Sequence, residues 1–238
     1  MKHMRIIGLA LVALFAMSAI AAATATAAPK HIYMVEGKEL KAGETKEITA
    51  KDSEEFTLKG KGALEIEAVT KCKKLKLKAS EHPEIIGGTP GTSAKEVIEF
   101  EECSGTVGGS KCSSVEIENA ATNNELVTVV KPESLKGKLA TLFTPTKPPV
   151  FSKEKLNKCG IFGSQSATVE GTSAALVEPE ATEALEGMLV WSEKSEITEI
   201  EKQNGTKATV GLTSGKKKAT LNGIALVALV SGQKWGAF

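Results

Sequence analysis

The chain has 238 residues, and its 30 basic and 29 acidic side chains give a formal charge of +1. This near-neutral balance gives no electrostatic case for binding nucleic acid or an anionic membrane surface. Arg5 is the only arginine and Asp52 the only aspartate, so the chain is poor in residues that clamp phosphate, bind calcium or complete catalytic triads. We therefore expect no nucleic-acid partner and no cofactor.

The first residues have the pattern of a secretory signal peptide. Lys2 and Arg5 precede an apolar run over 6–23, and Ala25-Thr26-Ala27 reads as an A-x-A cleavage site. We expect cleavage after Ala27, because a cut one residue later would place Pro29 first. An uncleaved anchor is the alternative, since the run is about the minimum length that spans a bilayer. The sequence thus predicts a signal peptide over 1–27 and a secreted or envelope-held chain over 28–238, with no membrane span after cleavage.

Short runs of alternating apolar and charged residues dominate the mature chain. The alternation is clearest over 64–68, 74–79, 98–101 and 115–118. A period of two with a charged outer face is typical of a half-buried antiparallel strand. Further strands are predicted near 125–130, 136–143, 166–172, 188–192, 196–202, 206–212, 216–221 and 224–231. Many short strands separated by turns indicate an all-β fold, an antiparallel β-sandwich or barrel-like domain.

Turn signals punctuate these strands. Asn204-Gly205 and Asn222-Gly223 are dipeptides favoured by tight hairpins, and the second joins 216–221 to 224–230 with matching faces. Over 179–189, the apolar spacing also fits a short helix. Three prolines within 144–149 indicate a long loop or a domain boundary near 144–153. We expect a single all-β domain over 28–238.

The four cysteines are Cys72, Cys103, Cys112 and Cys159. An even number in an exported protein indicates disulfides, and the C-x-x-C spacings of metal sites are missing. Four cysteines allow three connectivities. The Gly-rich loop over 104–110 favours Cys103–Cys112 with Cys72–Cys159, and Cys72–Cys103 with Cys112–Cys159 stays open as the alternative. No metal ligand is expected.

No arrangement of residues predicts catalysis. The mature chain has two histidines, His31 and His82, and the second lies in a predicted loop. Ser-x-x-Lys matches are expected by chance among so many serines and lysines. Paired glutamates, which glycosidases use, occur on the charged faces of predicted strands and are expected to face solvent. These pairs are Glu54/Glu55, Glu65/Glu67, Glu99/Glu101 and Glu116/Glu118.

The two tryptophans, Trp191 and Trp235, offer the other candidate site. Such residues belong to a core more often than to a binding site, but inside a barrel they would line a cavity for a small apolar ligand. Their ligand role is one alternative, and core packing is the other.

The order of several segments carries a resemblance. Cys72 follows an apolar strand, 97–103 reads VIEFEEC, 111–114 reads KCSS, 135–139 reads LKGKL, and Cys159 is followed by ATVEGT over 167–172. Over roughly residues 60–175 this resembles a group of uncharacterised secreted bacterial β-rich proteins with four cysteines. These motifs are structural, and the resemblance implies a secreted β fold without an activity to carry over. The second half departs from the group in its low aromatic and glycine content.

The sequence therefore predicts a secreted, disulfide-stabilised β-rich protein that is not an enzyme. Its expected role is structural or binding, with an unidentified protein or envelope component as partner. A small apolar ligand inside a barrel is the first alternative, and a glutamate-dependent hydrolase is the second.

Overall fold

The computed structural model describes residues 30–52, 54–61, 66–78 and 81–238. The described part is almost entirely β, with two three-residue 3-10 helices at Glu133–Leu135 and Gly160–Phe162. The strands in chain order are β1 (Tyr33–Val35), β2 (Lys38–Glu39), β3 (Thr45–Asp52), β4 (Phe56–Lys61), β5 (Glu67–Leu77), β6 (Glu84–Ile86), β7 (Thr92–Glu96), β8 (Ile98–Val107), β9 (Ser110–Lys111), β10 (Ser114–Asn119), β11 (Thr122–Lys131), β12 (Leu139–Pro145), β13 (Val150–Asn157), β14 (Gln165–Glu178), β15 (Glu186–Trp191), β16 (Glu199–Glu201), β17 (Lys207–Thr209), β18 (Gly211–Ser214), β19 (Lys217–Leu229) and β20 (Trp235–Ala237).

Eight of these strands close into a ring, which we call the first barrel. Each strand pairs antiparallel with the next in the order β3, β6, β7, β11, β12, β14, β15 and β19, and β19 pairs back to β3. Closure leaves no free edge in this ring. The all-β, barrel-like prediction is confirmed.

A second sheet continues from the first barrel through two long strands. β14 pairs with β12 and β15 near its end but with β13 and β18 near its start, and β19 likewise passes from β15 and β3 to β18 and β4. The second sheet runs β10, β13, β14, β18, β19, β4, β5, β8 and β9. It curls until Gly105 of β8 approaches Val115 of β10 so closely that an added Cβ would lie 2.8 Å from it. The shared strands therefore tie both halves of the chain into continuous hydrogen bonding.

A three-stranded sheet of β2, β1 and β20 packs against the first barrel. Tyr33 and Trp235, from β1 and β20, belong to the same buried cluster as Leu126, Phe143 and Trp191. This cluster fills the barrel with inward residues of its strands. The next residues along β11 and β12, Val127 and Ala140, belong to a separate cluster with Ile200 of β16. Alternation thus buries both faces of this wall, one against the barrel interior and the other beneath β16.

All four cysteines form disulfides, as predicted, but the favoured connectivity is wrong. The bonds are Cys72–Cys103 and Cys112–Cys159. Thr106 pairs with Lys111 across the β8–β9 hairpin, so Cys112 lies across from Gly105 and donates its backbone N–H to that carbonyl. The hairpin register thus leaves Cys103 two residues away from Cys112. Cys103 instead pairs directly with Cys72 on β5.

The predicted hairpin at Asn222-Gly223 is also wrong. β19 runs without interruption from Lys217 to Leu229, and Asn222 pairs with Thr57 while Gly223 pairs with Trp191. The dipeptide lies where β19 passes from the second sheet to the first barrel. Gly223 has a φ of 155°, and a Cβ there would lie 2.5 Å from the Phe56 ring. The glycine therefore serves close packing and not a turn.

Other predictions have mixed outcomes. The Asn204-Gly205 hairpin is confirmed, since β16 pairs with β17 and Gly205 N–H donates to Lys202. The helix alternative over 179–189 is wrong, because Ala184 forms an isolated bridge with Trp235 and β15 occupies Glu186–Trp191. Four residues, 146–149, separate β12 from β13. The signal peptide and the run over 64–65 lie outside the described residues. Within the described ranges, no helix is long and apolar enough to cross a membrane.

Candidate functional site

Five of the paired glutamates contact lysines, namely Glu55, Glu99, Glu101, Glu116 and Glu118. Glu99 and Glu101 of β8 lie 3.5 and 2.5 Å from Lys76 of β5. On the other edge of the second sheet, β10 and β13 carry matching charges, with glutamates directly opposite lysines. These ion pairs are Glu116–Lys155 and Glu118–Lys153. Glu55 contacts Lys71, and Glu65 lies outside the described residues. Such exposed pairs contribute less than about 1 kcal/mol each to stability.

Both tryptophans are buried in the first barrel, and their N–H groups are hydrogen-bonded. Trp191 donates to Ser173 Oγ over 3.1 Å, and Trp235 donates to the Val227 carbonyl over 3.2 Å. Both rings line an apolar interior space of about 30 Å³. That is room for about one water molecule, whereas ligand pockets measure about 300–1,000 Å³. The tryptophans therefore act as core residues in this structure.

One wall of the first barrel carries a buried polar cluster that the sequence analysis did not single out. It consists of Ser93 and Glu96 on β7 and Asn124 on β11, each at most 6 % exposed. The Asn124 amide donates to Glu96 Oε2 over 2.5 Å and to Ser93 Oγ over 3.1 Å. Its own Oδ1 has no hydrogen-bond partner among the described residues. We call these three residues the seam cluster.

A bulge in β7 places this cluster. Thr122 pairs with Glu96 and Asn124 pairs with Ser93, so β7 has one more residue than β11 between the two pairs. Lys95 absorbs the extra residue with a φ of 61°. The bulge turns Glu96 inward, where regular alternation from Ser93 would have placed Lys95. Lys95 instead points outward and contacts Glu84 at 3.4 Å.

Burial dominates the electrostatics of Glu96. Removal from water raises the pKa of its carboxyl to about 7, and hydrogen bonds from Ser93 and Asn124 lower it by less. No lysine or arginine lines the described interior of the barrel. The other titratable group there is Tyr33, whose pKa is raised by burial and by the nearby Glu96. A carboxyl group in this setting exchanges its proton near neutral pH, which suits it to general acid–base chemistry or to a response to pH.

A second buried glutamate lies in the second sheet. Glu154 of β13 is 6 % exposed and accepts a hydrogen bond of 3.3 Å from Thr70 Oγ1 of β5. β13 and β5 are not neighbours in the sheet, so this contact crosses its interior. Burial again raises the carboxyl pKa to about 7, and the Thr70 bond lowers it by less. Glu154 Oε1 and the nearby Ser152 Oγ lack partners among the described residues.

A histidine and a hydroxyl meet beside β11. His31 is 4 % exposed, and its Nε2 lies 2.6 Å from Thr128 Oγ1. Burial lowers the His31 pKa, with Gln203, Glu125 and Glu201 opposing that shift. A neutral imidazole beside a hydroxyl resembles a base–nucleophile pair in form. However, no carboxylate is hydrogen-bonded to Nδ1 in the described part of the chain, so the acidic group that would orient such a base is missing. We therefore interpret this pair as the anchor of the segment that leads into β1.

His82, the other histidine, is exposed and lies 3.4 Å from Glu47. One of the Ser-x-x-Lys matches consists of Ser152 and Lys155 of β13, and the two side chains lie on opposite faces, because Ser152 is buried and Lys155 is exposed. These residues form no constellation.

Sequence signals for the buried residues differ in strength. Ser152, Glu154 and Leu156 alternate with Lys153 and Lys155, so strand periodicity alone places Glu154 on the buried face. Glu96 gave no such signal, because its orientation depends on the bulge. No local pattern marks His31 as a site residue, because its partner Thr128 is 97 residues away in sequence.

An open groove of about 370 Å³ lies over the same wall. Its lining includes Thr92, Asn123, Glu125 and Thr144, and Ser93 borders both this groove and the interior space. No group of three or more histidine, cysteine or acidic residues suited to a metal occurs in the described ranges. No family model matches the chain, no curated protein matches it, and no solved structure matches its fold.

Proposed function

We propose that the protein acts outside the cytoplasm as a disulfide-braced β scaffold with a non-catalytic structural or binding role. The observation that carries the proposal is the pair of disulfides, Cys72–Cys103 and Cys112–Cys159, which uses every cysteine of the chain. Disulfides are consistent with an oxidising compartment, where small thiols do not reduce them. The signal-peptide pattern of the first residues points the same way.

The arrangement of carboxyl groups favours a scaffold over a glutamate-dependent hydrolase. Glycoside hydrolysis uses two carboxyl groups about 5–10 Å apart on either side of the sugar. Of the described residues that line the first barrel's interior, Glu96 is the one carboxylate, and Glu154 lies in the second sheet. The exposed pairs, in turn, are held by lysines. Neither set offers a paired site in a cleft.

The groove over β7 and β11 is the surface best suited to a partner. Thr92, Asn123 and Thr144 present hydroxyl and amide groups there, and Glu125 is held by Lys202. Such groups bind a polar partner through hydrogen bonds, as an envelope component or a protein surface would require. The alternative, a small apolar ligand inside the first barrel, would require the interior to widen well beyond its present 30 Å³.

The proposed location outside the cytoplasm can be tested by measuring whether the protein is exported and whether its cysteines are oxidised. Cells that produce the full chain would be fractionated, and the exported protein would be measured by intact mass without reductant. We expect a chain that begins at Ala28 and lacks the hydrogens of all four thiols. A full-length cytoplasmic protein with alkylatable cysteines would contradict the proposal.

Co-sedimentation tests the binding role. Purified mature protein would be mixed with isolated cell envelopes, with Asn123→Ala as the groove variant and the exposed Lys147→Ala as the matched control. We expect wild type and K147A to sediment with the envelopes, and we expect less N123A than wild type in the envelope pellet. Equal sedimentation of all three proteins would show that the groove is not the binding surface. If none of them sediments, the protein does not bind the envelope, and only the structural role remains proposed.

A further inference from the structure

We infer that the pairing of β7 with β11 is a pH-sensitive gate in the wall of the first barrel, held shut while Glu96 carries its proton. The inference goes beyond the proposed function and does not depend on it. It rests on three features of this wall: a bulge, a buried carboxyl without a cation, and open space on both sides.

The bulge makes the β7–β11 pairing less regular than the other strand pairings of the first barrel. Of the eight strand pairings that close the described barrel, only β7 with β11 carries a register shift, and it has three paired positions. Neighbouring β11–β12 pairs over seven positions without a shift. The hydrogen bonds of the seam cluster bridge the gap from the inner side, since Asn124 on β11 holds both Ser93 and Glu96 on β7. The cluster thus joins the two strands where their ladder is broken.

The charge state of Glu96 decides whether that joint is stable. The Asn124 amide contacts the Glu96 carboxyl, and the Thr122 hydroxyl donates to the Glu96 backbone carbonyl. The same interior space that Glu96 borders is lined by Thr141 and Phe143 of β12, Ile98 of β8 and Tyr33 of β1. Tyr33 is the one titratable group among them, and its raised pKa keeps it neutral through the relevant range. The nearest lysine in sequence, Lys95, is held outside by Glu84. Loss of the Glu96 proton therefore leaves a buried anion without a counter-ion, which water entry would relieve.

Open space lies on both sides of the β7–β11 pairing. The interior space reaches Glu96 and Ser93 from within, and the 370 Å³ groove reaches Ser93 from outside. Separation of β7 from β11 would join the two spaces. The opened state hydrates the Glu96 carboxylate, so its carboxyl returns to an ordinary pKa near 4.5.

Linkage then fixes the direction and size of the response. Between about pH 4.5 and 7 the open state is ionised and the closed state is protonated, so opening is favoured tenfold for each pH unit. The opening constant is therefore expected to rise roughly 300-fold across this range and to level off above it, where both states are ionised.

Hydrogen exchange of backbone amides measures the gate directly. Exchange of 92–96 and 122–125 would be followed from pH 5 to 8 and divided by the intrinsic rate at each pH to give the opening constant. We expect a tenfold rise per pH unit in wild type up to about pH 7 with a plateau above it, and a flat profile in Glu96→Gln. Glu154→Gln is the matched control, because it neutralises the other buried glutamate and must leave the rise at β7 and β11 intact.

The outcomes separate the gate from global unfolding. A local gate opens more often than the whole chain unfolds, so at each pH the opening constants of β7 and β11 must exceed those of β4 and β5 in the second sheet. A flat wild-type profile at β7 and β11, or a rise that persists in E96Q, would overturn the gate. If E96Q fails to fold, wild type and E154Q still decide, since equal opening constants in both sheets would show unfolding of the whole chain instead.

Discussion

Cys72 and Cys103 lie directly opposite each other across β5 and β8, with their Cα atoms 4.0 Å apart. The same register places Lys74 opposite Glu101 and Lys76 opposite Glu99. Charge complementarity along the two strands and the covalent bond between them therefore specify one and the same pairing. A slip by one residue would separate the cysteines and turn the lysines to the opposite face.

The first prediction concerns this bond. Replacing both Cys72 and Cys103 by Ala is expected to lower the free energy of unfolding by about 4 kcal/mol, because the bond closes a loop of 31 residues in the unfolded chain. Urea unfolding of the oxidised proteins measures the loss. Replacing Cys112 and Cys159, which close a loop of 47 residues, should give a loss of similar size. A loss below 1 kcal/mol for either pair would contradict the expectation.

The second prediction concerns the close approach at Gly223. A Cβ there would lie 2.5 Å from the Phe56 ring, and the φ of 155° is unfavourable for side chains. Gly223→Ala is therefore expected to destabilise the protein by about 1–3 kcal/mol. Gly211→Ala is the control, since a Cβ at Gly211 meets nothing within 4 Å and its φ is ordinary. That change should be neutral or stabilise the strand by up to about 1 kcal/mol. Thermal unfolding measures both changes. The unfolding temperature of G223A should fall well below that of wild type, and that of G211A should stay the same or rise.

The third prediction concerns the hydrogen bond between Trp191 and Ser173. Ser173→Ala leaves the buried indole N–H without its acceptor and is expected to cost about 1–3 kcal/mol. In a Trp191→Phe background the same serine change should cost much less, because no donor is left unpaired. A double-mutant cycle by urea unfolding isolates this difference. Equal costs in both backgrounds would show that the bond contributes little.

Much of the fold follows from residue patterns. Period-two alternation placed 98–101 in β8 and 115–118 in β10. It also predicted two separate strands over 64–68 and 74–79, of which residues 67–68 and 74–77 belong to the single strand β5. The spacing of charges around two cysteines holds further information. Lys74 and Lys76 follow Cys72 by two and four residues. Glu101 and Glu99 precede Cys103 by the same two and four residues. That symmetry predicts the observed register and the observed disulfide, and it outweighs the loop length that favoured Cys103–Cys112.

The features that could not be predicted depend on tertiary contacts. Asn222-Gly223 has the local preference of a hairpin, but pairing with β4 and β15 and the packing of Phe56 keep β19 extended. Glu96 faces inward because a bulge shifts the phase of β7. Neither effect is encoded in a window of a few residues. The burial of Glu154, by contrast, can be predicted from the sequence, because Glu154 alternates in phase with the apolar Leu156.

The fourth prediction concerns the dependence of stability on pH. The folded pKa values of Glu96 and Glu154 are raised from 4.5 to about 7. The folded protein therefore holds protons that the unfolded chain has released between about pH 4.5 and 7, and stability must fall as the pH rises through this window. Each group accounts for a loss of roughly 3 kcal/mol between pH 4.5 and 7. The pKa of His31, which burial lowers from 6.5, opposes this trend below about pH 6.5. The lowered pKa values of Glu101 and Glu199, caused by hydrogen bonds from Lys76 and Lys131, oppose it only below pH 4.5.

Urea unfolding at constant ionic strength from pH 5 to 8 measures this dependence. Wild type should be most stable near the acidic end of the range, and Glu154→Gln should show a much shallower fall. The double variant with Glu96→Gln should lose the fall and keep only the opposite slope that His31 gives below about pH 6.5. Glu116→Gln is the matched control, because the exposed Glu116 carboxyl lies 3.8 Å from Lys155 and not in a core. Its pH profile should follow that of wild type. A wild-type stability that rises from pH 5 to 7 would mean that both carboxylates are already hydrated in the folded state, and it would contradict their burial.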